Sequence, residues 1–340
     1  MLRISTFIML NVNQTSQVLQ FLEDAQRILC ITHAGPDGDA LGSMLGLCAL
    51  LHPRWPEKEV LCICKDPAPP PFHFLPGVRA IRQEISSRAG DLLIFLDAAE
   101  PKQTELHASH PLLFSPEELR KQGMRSIKID HHPTVSNFAM LNLVDPEAAS
   151  SAEVVMDIAD SIELPLTAEA ATCLLTGIYT DTGSMMHSNT TTRVYRTAAR
   201  LIRSGADQEA IIRNVFRNSK ISTLKLWGRV LEKISLSSEG AAISAVTAGD
   251  FRATGAAFSE LTGAIDYVNS IPGMKFSLVL SERDGKVKGS LRTLSDDVDV
   301  AAMAGKLSGG GHKKAAGFSL EGKLEPEVRW KVVPSTYLLS

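Results

Sequence analysis

No stretch of this 340-residue chain reaches the ~20 consecutive apolar residues that a membrane-spanning helix needs. The apolar patch at residues 7–10 is cut short by Asn11, Asn13 and Gln14. It is too brief for the core of a signal peptide, so none is expected. Strong positive charge is missing too: 35 Lys and Arg stand against 38 Asp and Glu, a net charge of −3. Tight, non-specific binding of long nucleic acid needs a strong positive field, which sets that function class aside. Cysteine is sparse and odd in number. Cys30, Cys48, Cys62, Cys64 and Cys173 sit among apolar neighbours, as reduced core residues of a cytoplasmic protein do. Cys62 and Cys64 look like a C-x-C metal pair, but they alternate with Leu61 and Ile63 in an expected buried strand, which favours packing. Internal repeats and low-complexity segments are also missing.

What is present is a chain able to build cores, 44% hydrophobic and 21% charged, with a length that favours two domains or one large one. Short apolar runs at 27–32 (RILCIT), 60–64, 91–96 (DLLIFL) and 126–129 alternate with helical patterns at 17–26, 39–51, 147–162 and 167–179. Continuous apolar runs of this length suit strands buried on both faces, and the alternation predicts a parallel α/β sheet with helices on both faces. Residues 191–236 are polar and helical, without such runs. Beyond them, strands at 241–247 and 276–281, a hairpin turn at Asp284-Gly285 into 287–292 and a helix at 298–306 indicate a smaller α+β domain. The expected division is therefore 1–190, a helical linker 191–236, and 237–340.

Chemistry-bearing residues gather where strands end. RILCIT is followed by His33, Asp37 and Asp39, DLLIFL by Asp97, and the 126–129 run by Asp130, His131 and His132; Asp181 closes the 167–179 helix region. Ligand sites of open parallel sheets lie at the carboxyl ends of strands. Any one of these residues alone reads as a turn former or a helix cap. Together, five carboxylates and three histidines at one edge repel too strongly to be kept unless cations neutralise them. Mixed Asp and His ligands suit Mn²⁺, with Mg²⁺ or Zn²⁺ as alternatives. More carboxylates than one ion requires indicates two ions, an arrangement that activates water and clamps a phosphate. The residues thus indicate a two-metal phosphoesterase.

The blocks His33/Asp37/Asp39, Asp97, Asp130-His131-His132 and Asp181 resemble, in order and interval, those of the DHH phosphoesterases. The C-terminal GGGHKKAAGF at 309–318 and the Ser290-Leu291-Arg292 triplet resemble the DHH-associated substrate domain. Within the family the similarity is greatest to short cytoplasmic oligoribonucleases that also dephosphorylate 3′-phosphoadenosine 5′-phosphate (pAp). The resemblance implies one ion on His33, Asp37 and Asp97 and a second on Asp39, Asp97, His131 and Asp181, with Asp97 bridging. It implies that His132 faces the scissile phosphate and that Asp130 orients its neighbours. Gly309, Gly310 and Gly311, with His312 and Arg292, would hold a terminal phosphate or nucleotide. Where many relatives place an aromatic and a basic residue, this chain has Met185-Met186-His187 before Ser188-Asn189, so His187 is a candidate substrate contact.

The expected function is hydrolysis of short RNA and pAp in a cleft between the domains, with no long duplex, no membrane and a homodimer as a compatible state. The alternative is a phosphodiesterase of cyclic dinucleotides or of linear products such as pApA. A family-II pyrophosphatase would end in a domain without GGGH, and a single-strand exonuclease of the RecJ type would be longer. A regulatory protein without catalysis would have lost a metal ligand, and every ligand position here is filled.

Overall fold

The computed structural model describes residues 10–133 and 136–325; part of the apolar patch at 7–10 lies outside them. The chain forms two compact units, Met1–Asn218 and Ser219–Ser340.

In the first unit, α1 (Val12–Asp24), β1 (Arg27–Ile31), α2 (Gly38–Leu51), β2 (Glu59–Ile63) and β3 (Asp91–Leu96) are followed by α3 (Pro116–Lys121), β4 (Arg125–Asp130) and β5 (Leu141–Val144). Then come α4 (Ser151–Ser161), α5 (Ala168–Asp181), α6 (Thr192–Arg203) and the short α7 (Gln208–Ile211). The sheet order is β2-β1-β3-β4-β5, and every pairing is parallel. Every residue of β1 and β3 is buried, because helices or loops cover both faces. Ile28, Cys30, Ile94, Leu96 and Ile129 pack on one side with the buried faces of α1, α2, α4 and α5. Leu29, Ile31, Leu93 and Phe95 pack on the other against Phe114, Phe138 and Leu119 of α3. The edge strand β5, four residues long and buried at alternate positions, was not expected from the sequence.

Two helices cross very closely. A methyl group at Gly42 of α2 would lie 2.5 Å from the carbonyl oxygen of Cys173, and one at Gly177 of α5 would lie 2.6 Å from Asp39 Oδ1. Glycine is required there because backbone and carboxylate occupy the space a side chain would fill. All five cysteines are free thiols, and Cys48 Sγ lies 2.8 Å from Cys62 Sγ in the core.

The second unit contains α8 (Ile221–Glu232), β6 (Ser235–Leu236), β7 (Ala241–Val246), α9 (Ala248–Thr254), α10 (Ala264–Asn269) and β8 (Phe276–Arg283). These lead to β9 (Lys286–Arg292), α11 (Val300–Gly305), β10 (Gly310–His312) and β11 (Ala315–Glu321). Its sheet runs β10-β11-β9-β8-β7-β6, antiparallel except between β7 and β8. The turn joining β8 to β9 has Asp284 and Gly285 both at positive φ, 50° and 76°, the backbone a two-residue hairpin turn demands.

The helices of 191–236 are shared between the units and do not stand apart as a linker. Val194, Ala198 and Leu201 of α6 are buried in the first core, and Leu226 and Val230 of α8 in the second. In each helix polar and apolar residues are interspersed, and nothing local says which core the apolar ones join.

Candidate metal and phosphate site

β1 pairs with β3, and β3 with β4, so their carboxyl ends form one edge. His33, Asp97 and the Asp130-His131-His132 turn emerge there. Asp97 has a left-handed backbone, φ 54°, and its N–H donates to the carbonyl of Ile129 (3.0 Å). This turns the chain at the end of β3. Asp37 caps α2, accepting from the N–H groups of Asp39 and Ala40 at 3.0 Å each. Asp39 lies in the first turn of α2 and Asp181 closes α5.

The eight residues come together. His33 Nε2 lies 3.6 Å from Asp97 Oδ2 and 3.9 Å from Asp37 Oδ1. His131 Nε2 lies 3.2 Å from Asp181 Oδ2, 3.7 Å from Asp97 Oδ1 and 4.0 Å from Asp39 Oδ2. Three overlapping trios have donor atoms all within 4.8 Å of one another: His33/Asp37/Asp97, Asp39/His131/Asp181 and Asp97/His131/His132. His132 Nδ1 donates to Asp130 Oδ1 (2.7 Å), which also accepts from the His131 N–H (2.9 Å). A cavity of about 450 Å³ opens over this group. Its walls add Asp66, Lys102, Gln103 and Glu105, none of which sequence reasoning selected.

Charge in the site is unbalanced. Burial, then the charges of Asp97, Asp181 and Asp37, push the Asp39 carboxyl well above the ordinary carboxylate range. Asp181 is pushed up in the same way by burial, Asp97 and Asp37. Asp97 itself is lowered: burial opposes its ionisation, but the hydrogen bond to His33 and the charges of His131, His33 and His132 outweigh it. For His33, burial disfavours the charged ring, yet Asp97 raises it to about 9. A donor set this acidic, built of Asp and His only, fits divalent cations of the Mn²⁺ or Mg²⁺ type.

A model of the DHH family N-terminal domain matches residues 27–178, and a model of the DHHA1 domain matches residues 240–332. A Thermus thermophilus protein, the bifunctional oligoribonuclease and PAP phosphatase NrnA, is 36% identical over 310 residues, 90% of this chain and 87% of that protein. The chain belongs to the DHH family. The Bacillus subtilis protein of the same name is 26% identical over 296 residues, 86% of this chain and 89% of its own. An exopolyphosphatase-related protein from Bacteroides fragilis shares the fold, with a TM-score of 0.81 at 25% identity over 92% of both chains. As a DHH family member this protein is a hydrolase of phosphoester bonds.

Two further groups hold the site of this DHH protein in place. Ser151 Oγ donates to Asp97 Oδ1 (3.0 Å), while the N–H groups of Ser151 and Ala152 donate to Asp39 Oδ2 and Oδ1 (2.5 and 3.0 Å). Lys128, with no exposed surface, places Nζ 3.1 Å from Asp130 Oδ2. Sequence reasoning missed both, since the partners of Ser151 are distant in the chain. Lys128 carried a signal: it stands two residues before Asp130 in a strand, hence on the same face.

The remaining candidates are His187 in the first unit and Arg292, His312 and Gly309–Gly311 in the second. His187 is exposed and its Nδ1 donates to the carbonyl of Asp181 (3.1 Å), to which Asn189 Nδ2 also donates (3.2 Å). Gly183, Ser184 and Met185, all at positive φ, bend the chain so that both residues return to Asp181. In the second unit His312 pairs with Ala315, and Ala315 with Arg292, across β10, β11 and β9. Directly paired residues share a face of a sheet, so Arg292 and His312 flank a small alanine about 10 Å apart in all, two strand spacings. Gly309 precedes β10, and Gly310 and Gly311 belong to that strand, which replaces the loop expected at 309–311. A methyl group on Gly309 would lie 2.2 Å from the carbonyl oxygen of Gly317, so the glycine run permits strand pairing as well as any approach of a ligand.

Proposed function

We propose that this protein hydrolyses short oligoribonucleotides and pAp with two divalent cations, Mn²⁺ foremost. One would be held by His33, Asp37 and Asp97, the other by Asp39, Asp97, His131 and Asp181. The observation that carries this reading is the position of Asp97. Its Oδ2 is nearest His33 and its Oδ1 nearest His131, at 3.6 and 3.7 Å, so one carboxylate reaches toward a proposed ligand of each ion. Bound ions would supply acidified water and neutralise charge on the phosphoryl oxygens.

The chain's own residues do the rest. His132 lines the cavity with Nδ1 committed to Asp130, an orientation suited to meeting a phosphoryl oxygen. Arg292 and His312 offer a fork and a ring on one sheet face, chemistry that suits a terminal phosphate. The near-neutral charge balance suits substrates of a few nucleotides, since phosphate contacts govern affinity for long polymers. The curated relatives' names, oligoribonuclease and PAP phosphatase, support this substrate class. Among the described residues no helix is long and apolar enough to cross a membrane.

Turnover of a diribonucleotide, a pentaribonucleotide, pAp and a cyclic dinucleotide, compared in Mn²⁺, tests the proposal. Hydrolysis of the linear RNAs and pAp above the cyclic substrate is expected. Preference for the cyclic dinucleotide would overturn it.

A further inference from the structure

We infer that Lys128 is a positioning residue for His132, acting through Asp130, so that a buried Lys128–Asp130–His132 chain sets how the phosphate-facing histidine is held. The inference rests on the proposed function only for its kinetic part. β4 lies inside the sheet between β3 and β5, and Lys128 has no exposed surface. An ammonium group is expensive to remove from water unless it is paired and hydrogen-bonded. Here Nζ donates to the carbonyls of Ala99 (3.0 Å) and Ser136 (3.4 Å). It sits 5.2 Å from the centre of the Phe138 ring and 3.1 Å from Asp130 Oδ2. Among the described residues no aligned hydrogen bond reaches that oxygen, so the contact is one of charge.

Those partners explain what the lysine organises. Ala99 lies two residues after Asp97, on the chain leaving β3, and Ser136 lies on the chain leaving β4. One ammonium group therefore ties together the two strand exits that carry Asp97 and the His131-His132 pair. The division of labour at Asp130 is equally specific. Oδ2 faces Lys128, whereas Oδ1 accepts from His132 Nδ1 (2.7 Å), from the His131 N–H (2.9 Å) and from the His132 N–H (3.3 Å). Two backbone N–H groups already donate to Oδ1 while the ammonium group stands against Oδ2, so both oxygens are placed as acceptors. His132 Nδ1 must then be the donor, which fixes both the tautomer and the plane of the ring.

The test is a double-mutant cycle on the full-length protein with Lys128→Met and Asp130→Asn, singly and together, plus Lys128→Arg. Each is measured for kcat and KM on pAp, for bound Mn²⁺, and for the ¹⁵N imidazole spectrum of metal-free protein. Lys128→Met is expected to lower kcat about 10–100-fold, the range for groups that orient a site residue, with KM and ion count nearly unchanged. It should also move the Nδ1 resonance of His132. Asp130→Asn should add little once Lys128 is Met, and Lys128→Arg should restore part of the rate. If Lys128→Met alone fails to fold, the double variant removes both buried charges and remains informative; a kcat equal to that of Asp130→Asn alone is expected. Additive losses, or an unchanged His132 resonance in folded Lys128→Met, would overturn the inference. Should the wild type turn over no pAp, the proposed function falls, while the spectrum still decides the role of Lys128.

Discussion

Asp97→Asn is the most informative single change, because it keeps the shape of the side chain and removes one negative charge from the point where two trios meet. In metal-free protein its effect can be worked from the geometry. Asp97 Oδ2 lies 3.6 Å from His33 Nε2 and raises that ring to about 9 against the burial that would lower it. Without the charge only burial and the weaker neighbours remain, so the His33 midpoint should fall to its ordinary value of about 6.5 or below. That is a fall of about 2.5 pH units, on the order of 3 kcal/mol at about 1.36 kcal/mol per unit. The sign follows: a folded pKa above the unfolded one stabilises the wild type fully below about pH 6.5, and this contribution disappears as pH rises through 9. An NMR titration of His33 in chelator-treated wild type and variant measures the change. In the loaded enzyme, metal analysis should find both ions depleted. The ions' electrostatic help is worth several kcal/mol, so kcat should fall by more than about 10³-fold, further than for Asp37→Asn or Asp181→Asn. Two ions at full occupancy in Asp97→Asn would refute the bridging assignment, and a His33 midpoint left at about 9 would refute the charge argument.

Three other variants separate the remaining roles. His132→Ala should keep both ions and lose roughly 10²–10³-fold in turnover; loss of an ion on metal analysis would instead make His132 a ligand. Arg292→Ala and His312→Ala should raise KM for short RNA and pAp with both ions bound, and should change hydrolysis of a chromogenic phosphodiester much less; equal losses on both substrates would remove the substrate role. Arg193→Met strips the guanidinium that reaches Asp145 and Asp157 at 2.6 and 2.7 Å, costing about 3–5 kcal/mol by leaving buried carboxylates unpaired. Burial already holds Asp157 up at about 7, so its proton is kept at low pH. The loss in thermal unfolding should therefore be largest above pH 7 and shrink toward pH 5.

Why some of this was legible in sequence and some was not follows from the range of each interaction. A parallel sheet writes itself locally: β1 and β3 are apolar at nearly every residue because both faces are covered, and the residue that follows such a run has to lie at the sheet edge. His33, Asp97 and the Asp130-His131-His132 turn could therefore be placed together before any coordinates. Ser151 could not. It reaches Asp39 and Asp97 only after α4 has docked, across 112 and 54 residues of chain. β11 was hidden for a different reason. Its alanines and glycine are poor strand formers, and they are held there by pairing and by Phe318, whose ring lies over Gly289 in the neighbouring strand. The division of 191–236 between two cores likewise depends on tertiary contacts that the helices' own sequences do not specify.

The carboxylates themselves show how a chain can fold around a site of one sign. Asp37 accepts two N–H groups at the start of α2. Asp39, in the first turn of the same helix, accepts two more at the start of α4, from Ser151 and Ala152. Each helix start has N–H groups without partners inside the helix and the positive end of its dipole, so two of the acids are offset by backbone before any ion arrives. Asp97 has the Ser151 hydroxyl and the neighbouring histidines, and Asp130 has Lys128 and the turn that follows it. Asp181 has the least: among the described residues only His131, at 3.2 Å, stands as its ion-pair partner. The second trio, in which Asp39 and Asp181 are both pushed well up, is therefore the part of the site whose charge most needs a cation. The first trio already contains, in His33, a group able to carry positive charge of its own.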